Sequence, residues 1–186
     1  QSGAENTAVG KLAMAVNSTG GSNVAIGNEA LRLGNASYNT AVGFESGYQA
    51  SAAEGVFIGY HAGYGVTSGD ENTLVGSQTM TTTTTATNNT AMGRMALRIN
   101  TGNNNTALGH QSMISNGAGE QNTAVGKSSL SSNSSGNYNT AIGMNAGFRN
   151  QTGDSNTFIG NTAGYECQSG HSNTAVGKSA FGFGSS

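Results

Sequence analysis

Side chains that could carry acid–base, metal or nucleophilic chemistry are few in this sequence. Its 186 residues include 9 Asp and Glu, 3 His and a single Cys. Acid–base catalysis by carboxylates needs a pair held in different environments, and the acidic residues form no such pattern. His61, His110 and His171 share no metal-ligand spacing with Cys167, and one cysteine cannot form an internal disulfide. We therefore predict no catalytic residue, no metal, no cofactor and no enzyme activity.

Charge and composition narrow the range of partners. The formal net charge is −2 and 9% of the residues are charged, whereas nucleic-acid binding calls for a basic face. No apolar run reaches the roughly 18 residues that a membrane helix needs. Asn, Ser and Thr make up about one third of the chain and supply its polar surface. The sequence predicts no nucleic-acid partner and no membrane insertion by this segment, and the opening Gln1 is typical of a processed chain.

A five-residue unit recurs eleven times and sets the organisation of the chain. Its usual form is Asn-Thr-Ala-Val-Gly, and successive closing glycines are 16 or 17 residues apart. The copies are residues 6–10, 23–27, 39–43, 55–59, 72–76, 89–93, 105–109, 122–126, 139–143, 156–160 and 173–177. We number the Asn as position 1, the closing Gly as position 5 and the next five residues as positions 6 to 10. A fixed short period of this kind is the signature of a repeat architecture.

The repeat length and the alternation of side chains predict the fold. Each repeat holds two short strands and two turns, but it is shorter than the about 30 residues of a βαβ unit. Positions 2 and 4 share one strand face, and position 3 points to the other. The chain has no Pro, which would interrupt a ladder of strands. We predict an all-β parallel β-solenoid of about 11 coils of 16–17 residues, forming a single repeat domain over residues 1–186.

Position 4 is aliphatic or Met in every copy, and we predict that it forms the structural core inside the coils. Its residues are Val9, Ile26, Val42, Ile58, Val75, Met92, Leu108, Val125, Ile142, Ile159 and Val176. Position 2 is Thr in nine copies and Val in two, which fits a second inward position whose hydroxyl bonds the backbone. The Leu or Met that is common at position 9 should join the core from a second strand. On this assignment, Val125→Asp unfolds neighbouring coils.

Position 3 is Ala in eight copies, and an outward row of small apolar residues predicts an oligomer seam. Its residues are Ala8, Ala25, Ala41, Phe57, Leu74, Ala91, Ala107, Ala124, Ala141, Phe158 and Ala175. Small side chains let two backbones approach closely, so Ala107→Glu should split the assembly and leave the β-structure intact. Position 1 is Asn in all copies except Gly55, and stacked Asn amides predict a structural ladder.

Four copies carry Gly instead of Leu or Met at position 9, and an aromatic residue follows at position 10. The pairs are Gly47–Tyr48, Gly63–Tyr64, Gly147–Phe148 and Gly164–Tyr165. One interpretation is that each ring replaces the missing core volume from one residue further along. The other is a stacking patch for sugar around Phe44, Tyr48, Tyr60 and Tyr64.

The repeat resembles those of known fibrous surface proteins. Asn23-Val24-Ala25-Ile26-Gly27, followed by Ala30, resembles the repeat of the YadA-like head domains of trimeric autotransporter adhesins. The copies that contain Thr are similar to repeats of phage tail fibres. The resemblance implies a left-handed parallel β-roll, three chains around one axis, and attachment to host surfaces or matrix.

Two functions are compatible with these patterns. The first is a structural and adhesive fibre segment on a cell or virion surface, outside the cell, which self-associates as a homotrimer and contacts a host receptor, matrix or glycan. The second is an ice-binding β-solenoid that uses the regular Thr array. The second would require positions 2 and 4 to point outward, with Ala, Asn and Gly filling the interior.

Overall fold

The computed structural model describes residues 3–82 and 84–182, and within them the chain forms short β-strands and no α-helix. The strands are β1 (Thr7–Val9), β2 (Val24–Ile26), β3 (Thr40–Val42), β4 (Val56–Ile58), β5 (Thr73–Val75), β6 (Thr90–Met92), β7 (Ile99–Asn100), β8 (Thr106–Leu108), β9 (Ser115–Gly117), β10 (Thr123–Val125), β11 (Thr140–Ile142), β12 (Thr157–Ile159) and β13 (Thr174–Val176). Eleven of them form one sheet in the order β1-β2-β3-β4-β5-β6-β8-β10-β11-β12-β13, and β7 pairs with β9. The predicted all-β parallel β-solenoid is confirmed.

The chain divides into two compact units, residues 1–91 and 92–186. In each unit every repeat lies beside the next one in register. In the first unit Ala25 pairs with Ala41, and in the second Ala124 pairs with Ala141. Equivalent positions therefore form rows along each stack, which is why a residue's repeat position predicts its surroundings. The single-domain organisation stays a prediction.

The prediction of two strands per repeat is wrong for most repeats. Positions 2 to 4 form the only strand in the majority of the described coils. The second sheet is confined to β7 and β9, and an isolated bridge joins Val66 to Thr84. Positions 8 and 9 lie in turns instead, where the coil closes without a regular ladder.

Position 3, the predicted seam, lines the interior of the coils. The outward assignment was wrong for Ala8, Ala25, Ala41, Phe57, Leu74, Ala91, Ala107, Ala124, Ala141, Phe158 and Ala175. From Ala25 to Phe158 this row is completely buried, and it meets solvent at Ala8 in the first coil. The Leu and Met side chains of position 9 are buried opposite it, as predicted, for example Leu97 and Leu130.

Position 4, the predicted core, lies on the outside. The inward assignment was wrong for Val9, Ile26, Val42, Ile58, Val75, Met92, Leu108, Val125, Ile142, Ile159 and Val176. Ile142 is 41% exposed and Met92 is 47% exposed. The Thr and Val of position 2 share this outer side and are half-buried in the inner coils, and they do not point inward. The interior is already occupied by Leu or Met from position 9 or by Phe from position 3, and in one coil by both Leu74 and Met80, so a further row of large side chains inside would overpack the core.

The coil closes through residues in the left-handed backbone region. The residue before position 1 and the residues at positions 7 and 9 all have positive φ, as Gln121, Ser128 and Leu130 show in one coil (56°, 55° and 45°). The closing glycine is required by close approach. Gly126 has φ 127°, and a Cβ there would lie 2.6 Å from the Gly143 carbonyl oxygen of the next coil.

The Asn of position 1 forms the predicted ladder, with the backbone as its main partner. The Asn139 Oδ1 accepts the Asn156 backbone N–H at 2.9 Å, and its Nδ2 donates to the Gly153 carbonyl at 2.7 Å. Each amide therefore joins one coil to the next and also closes its own coil. A second buried row, which the sequence analysis missed, links Asn116 to Asn100 and Asn133 to Asn116, at 2.7 Å each.

Candidate interaction surface

The most extensive candidate site is the outer face, which we define as the side chains of positions 2 and 4 on the strands of the eleven-stranded sheet. The extended backbone alternates its side chains, so these two positions point the same way. In the first unit the face includes Ile26 and Ile58, and in the second Met92, Ile142 and Ile159, all between 37% and 47% exposed. Neighbouring strands lie about 4.8 Å apart, so the aliphatic side chains form a continuous row in each unit.

The chemistry of the outer face is uniform. Positions 2 and 4 contain only Thr, Val, Ile, Leu and Met in all eleven repeats. Monomeric soluble proteins rarely expose long apolar stripes, and such stripes mark interaction sites. The central part of a protein interface is likewise depleted of charge. The composition and exposure of this face thus match a surface that another surface covers.

A cluster of aromatic rings lies beside the strands of the first unit. Phe44 and Tyr60, both at position 6, stack with ring centroids 5.6 Å apart. Tyr48 and Tyr64, both at position 10, stack at 5.0 Å. His61 bridges the two pairs, with its ring 3.9 Å from Tyr60 and 5.1 Å from Tyr64. The register of the coils thus assembles five rings from two repeats into one surface cluster.

An arginine–glutamate ion pair and a close histidine–glutamate contact border this cluster. The Arg32 guanidinium donates to Glu29 at 2.8 Å and lies 5.8 Å from the Tyr48 ring centroid. The hydrogen bond to Glu29 raises the pKa of Arg32 above its ordinary value. The His61 Nε2 lies 2.8 Å from a Glu45 carboxylate oxygen. Desolvation, with the nearby Glu45 carboxylate as a second cause, raises the pKa of Tyr64, so its hydroxyl stays protonated well above neutral pH.

A smaller cluster of the same kind occurs in the second unit. Phe148 and Tyr165 stack at 5.0 Å with nearly parallel planes. Arg149 lies 5.9 Å from the Tyr165 ring centroid and pairs with Glu166 at 2.9 Å. An arginine, an acid and two stacked rings therefore occur in both units, and in both the stacked position-10 rings directly follow a position-9 Gly.

The interpretation of the position-10 rings as core residues is wrong. Tyr48, Tyr64, Phe148 and Tyr165 remain half-exposed. The volume left by the glycines is filled by the buried position-3 rings of Phe57 and Phe158. A Cβ on Gly63 would lie 2.3 Å from the Phe57 ring, and one on Gly164 would lie 2.2 Å from the Phe158 ring. The sequence signal was present, because both Phe residues belong to repeats with this Gly.

The residues with metal or nucleophilic chemistry do not converge. In the described part of the chain no group of three or more His, Cys, Asp and Glu could hold a metal ion. His171 accepts the Asp154 backbone N–H through its Nδ1 at 3.0 Å. Cys167 is a buried thiol, and desolvation raises its pKa. Among the described residues no helix is suited to cross a membrane.

No family model, curated protein or solved structure matches the chain. The parallel β-solenoid stands on the structure itself, and the likeness to adhesin heads and tail fibres stays an expectation based on the repeat motif.

Proposed function

We propose that this chain is a non-enzymatic structural and adhesive segment of an extracellular fibre on a cell or virion surface. The single observation that carries the proposal is the uncharged outer face, whose position-4 row of aliphatic and Met side chains is repeated coil after coil in both units. A protein that exposed this face alone would aggregate, so a covering surface of the same period is expected. A second copy of the chain has that period.

The proposed assembly uses the outer face and not the alanine row. Three chains that turn their position-2 and position-4 side chains towards a common axis would exclude water from all three faces. The threonine side chains bring methyl groups to the contact and keep their hydroxyls available for hydrogen bonds. The copy number of three rests on the resemblance to adhesin heads. Repeated surface sites on such an assembly bind a receptor, matrix or glycan by multivalency.

The mass of the purified chain in solution tests this proposal. Sedimentation equilibrium should give about 56 kDa, three times the 18.6 kDa of one chain. Val125→Asp places a charge on the outer face and should lower that mass, and Val125→Thr, which keeps the shape, should not. A wild-type chain that stays at 18.6 kDa over the accessible concentration range would refute the assembly.

Ice binding is the second candidate, and one observation favours it. Positions 2 and 4 point outward while Ala and Asn fill the interior, which is the arrangement that an ice-binding face of this repeat requires. The face is uneven, however, because Met92 and Leu108 interrupt a row of Val and Ile, whereas a lattice match needs a uniform row. Thermal hysteresis of the purified wild-type protein, lost in Thr123→Tyr, would support this function. Its absence would exclude it.

A further inference from the structure

The aromatic cluster of the first unit ends where the next coil carries short polar residues in place of the rings. We call this edge, formed by Tyr60, Tyr64, Ser77, Gln78 and Thr81, the step. The two ring rows can be followed through four consecutive coils by the register of the sheet, in which Phe57 pairs with Leu74. Position 6 holds Asn28, Phe44, Tyr60 and Ser77, and position 10 holds Arg32, Tyr48, Tyr64 and Thr81. Two large rings are thus followed by two short polar side chains.

At the step, Tyr60 and Tyr64 have no aromatic neighbour in the next coil. Phe44 and His61 both stack on Tyr60, with ring centroids 5.6 and 3.9 Å away, and Tyr48 stacks on Tyr64. The next coil carries Ser77 and Thr81 at these two positions and holds no aromatic residue. A hydroxyl-bearing side chain of one or two carbons is too short to cover a phenol ring. Tyr60 accordingly remains 49% exposed.

The floor of the step is polar and neutral. Gln78 lies at position 7 of the next coil, and its backbone N–H donates to the Tyr60 carbonyl at 2.9 Å. Gln78 follows Ser77 in the same turn and adds a side-chain amide to this coil. The nearby Glu45 carboxylate already pairs with His61 at 2.8 Å. The step consequently offers ring faces, hydroxyls and an amide, with no cation suited to a phosphate or a carboxylate.

We propose that the step formed by Tyr60 and Tyr64 above Ser77, Gln78 and Thr81 binds a neutral saccharide. The apolar C–H face of a pyranose packs on a phenol ring, and its hydroxyls bond the amide and hydroxyls of the floor. Aromatic walls with a few converging polar groups are the usual composition of a small-molecule site. A nucleic acid would also stack on the rings, but its backbone needs a positively charged groove. The inference deepens the proposed attachment role and rests on it, because one such shallow site becomes effective through repetition.

Titration calorimetry on the assembled wild-type protein tests the site, with cellohexaose and chitohexaose as separate probes. We expect saturable binding of at least one probe. Tyr60→Ala and Tyr64→Ala should each weaken it by about tenfold, as the loss of a stacking partner does for bases. Tyr38→Ala is the matched control, because Tyr38 is an exposed tyrosine of the same unit (65%) that takes no part in the step, and it should bind as the wild type does.

The outcomes separate this inference from the proposed assembly. Lack of binding by both hexasaccharides at millimolar concentration, or equal binding by Tyr60→Ala, would overturn the saccharide site. A lower solution mass for Tyr60→Ala would show that the step contacts another copy, which also overturns the site but leaves the assembly intact. Tyr60-dependent binding by a chain that is monomeric would support the site and refute the assembly.

Discussion

At the scale of single residues, the side chains of positions 3 and 9 share the interior volume of the coils. A large side chain at one of these positions leaves less space for the other, and we call this relation the exchange. Five coils combine Ala at position 3 with Leu or Met at position 9, whereas Phe158 faces Gly164 in its own coil and Gly147 in the preceding one. A Cβ on Gly55 would lie 2.4 Å from the Phe57 ring, whereas the coil of Phe158 keeps Asn156 at position 1, so a position-3 ring does not by itself require Gly there. Protein interiors are close-packed, so a large side chain added in one row must be removed from another.

The exchange predicts a compensating pair of substitutions. Phe158→Ala removes a completely buried ring and should lower the free energy of unfolding by about 3–5 kcal/mol. Gly164→Leu alone should also destabilise the fold, because it clashes with the ring. The double variant Phe158→Ala/Gly164→Leu recreates the common Ala–Leu combination and should recover part of the loss. Urea denaturation followed by circular dichroism measures all three. A double variant that is as unstable as the sum of the single changes would contradict the exchange.

The Asn ladder predicts a local effect on hydrogen exchange. Asn139→Ala leaves the buried Asn156 N–H without its present acceptor, whereas the Gly153 carbonyl loses one donor and keeps the Asn150 Nδ2 at 3.0 Å. The expected loss of stability is about 1–3 kcal/mol, the cost of one buried group left unpaired. Amide exchange should show lost protection at Asn156. Asn161→Ala, a half-exposed change of the same type, is the control, and equal effects of the two changes would refute the ladder's role.

At the scale of the strand, the decisive property is which face points inward. Alternation guarantees that position 3 opposes positions 2 and 4, but it does not say which side is enclosed. Because each strand of the large sheet has three residues, there is no longer alternation of polar and apolar residues that would show which face is buried. In six of the eleven coils the turn inserts a buried Leu or Met from the far side, and in two others Phe57 or Phe158 fills the interior, so the enclosed strand face has room mainly for small residues.

The enclosed face reverses the mutational expectation drawn from the sequence. Ala107→Glu now places a carboxylate in a completely buried position and should unfold neighbouring coils, because an unpaired buried charge is strongly disfavoured. Val125→Asp lies on the half-buried outer face and should leave the β-structure intact. Circular dichroism of both variants measures the outcome. Retained structure in Ala107→Glu together with unfolding of Val125→Asp would restore the original assignment.

At the scale of the whole molecule, the fold presents an apolar face to solvent in both units. A single chain that buries Ala and exposes Val and Ile gains no hydrophobic stabilisation from the larger side chains. They stabilise the fold only if another surface covers them. Self-association supplies that burial and links stability to concentration. The proposed assembly therefore makes the protein's thermal stability a collective property.

This link predicts a concentration-dependent melting temperature. Because association stabilises the folded state by mass action, the wild-type midpoint should rise over a hundredfold increase in protein concentration. Val125→Asp should melt at a midpoint that does not change with concentration. Val125→Thr is the control and should keep the wild-type dependence. Scanning calorimetry at three concentrations provides the measurement, and a constant wild-type midpoint would argue against association.

The repeat alone determined the class of fold, the length of the coil, the rows and their register. It also indicated the Asn ladder and the buried Leu and Met of position 9, because Asn recurs in ten of the eleven copies and Leu or Met in six, each at a constant place in the repeat. It placed the aromatic residues in shared rows, from which their stacking in adjacent coils follows.

Only the tertiary structure decided which rows are enclosed. Hydrophobicity ranks Val and Ile above Ala, and that ranking assigned position 4 to the core. Apolar residues are common on protein surfaces, so the ranking is a weak guide to burial. The available volume was set by Leu97 and Leu130 from position 9 and by the rings of Phe57 and Phe158. Those side chains approach the strand from across the coil, and this approach depends on turns of positive φ that the local sequence did not reveal.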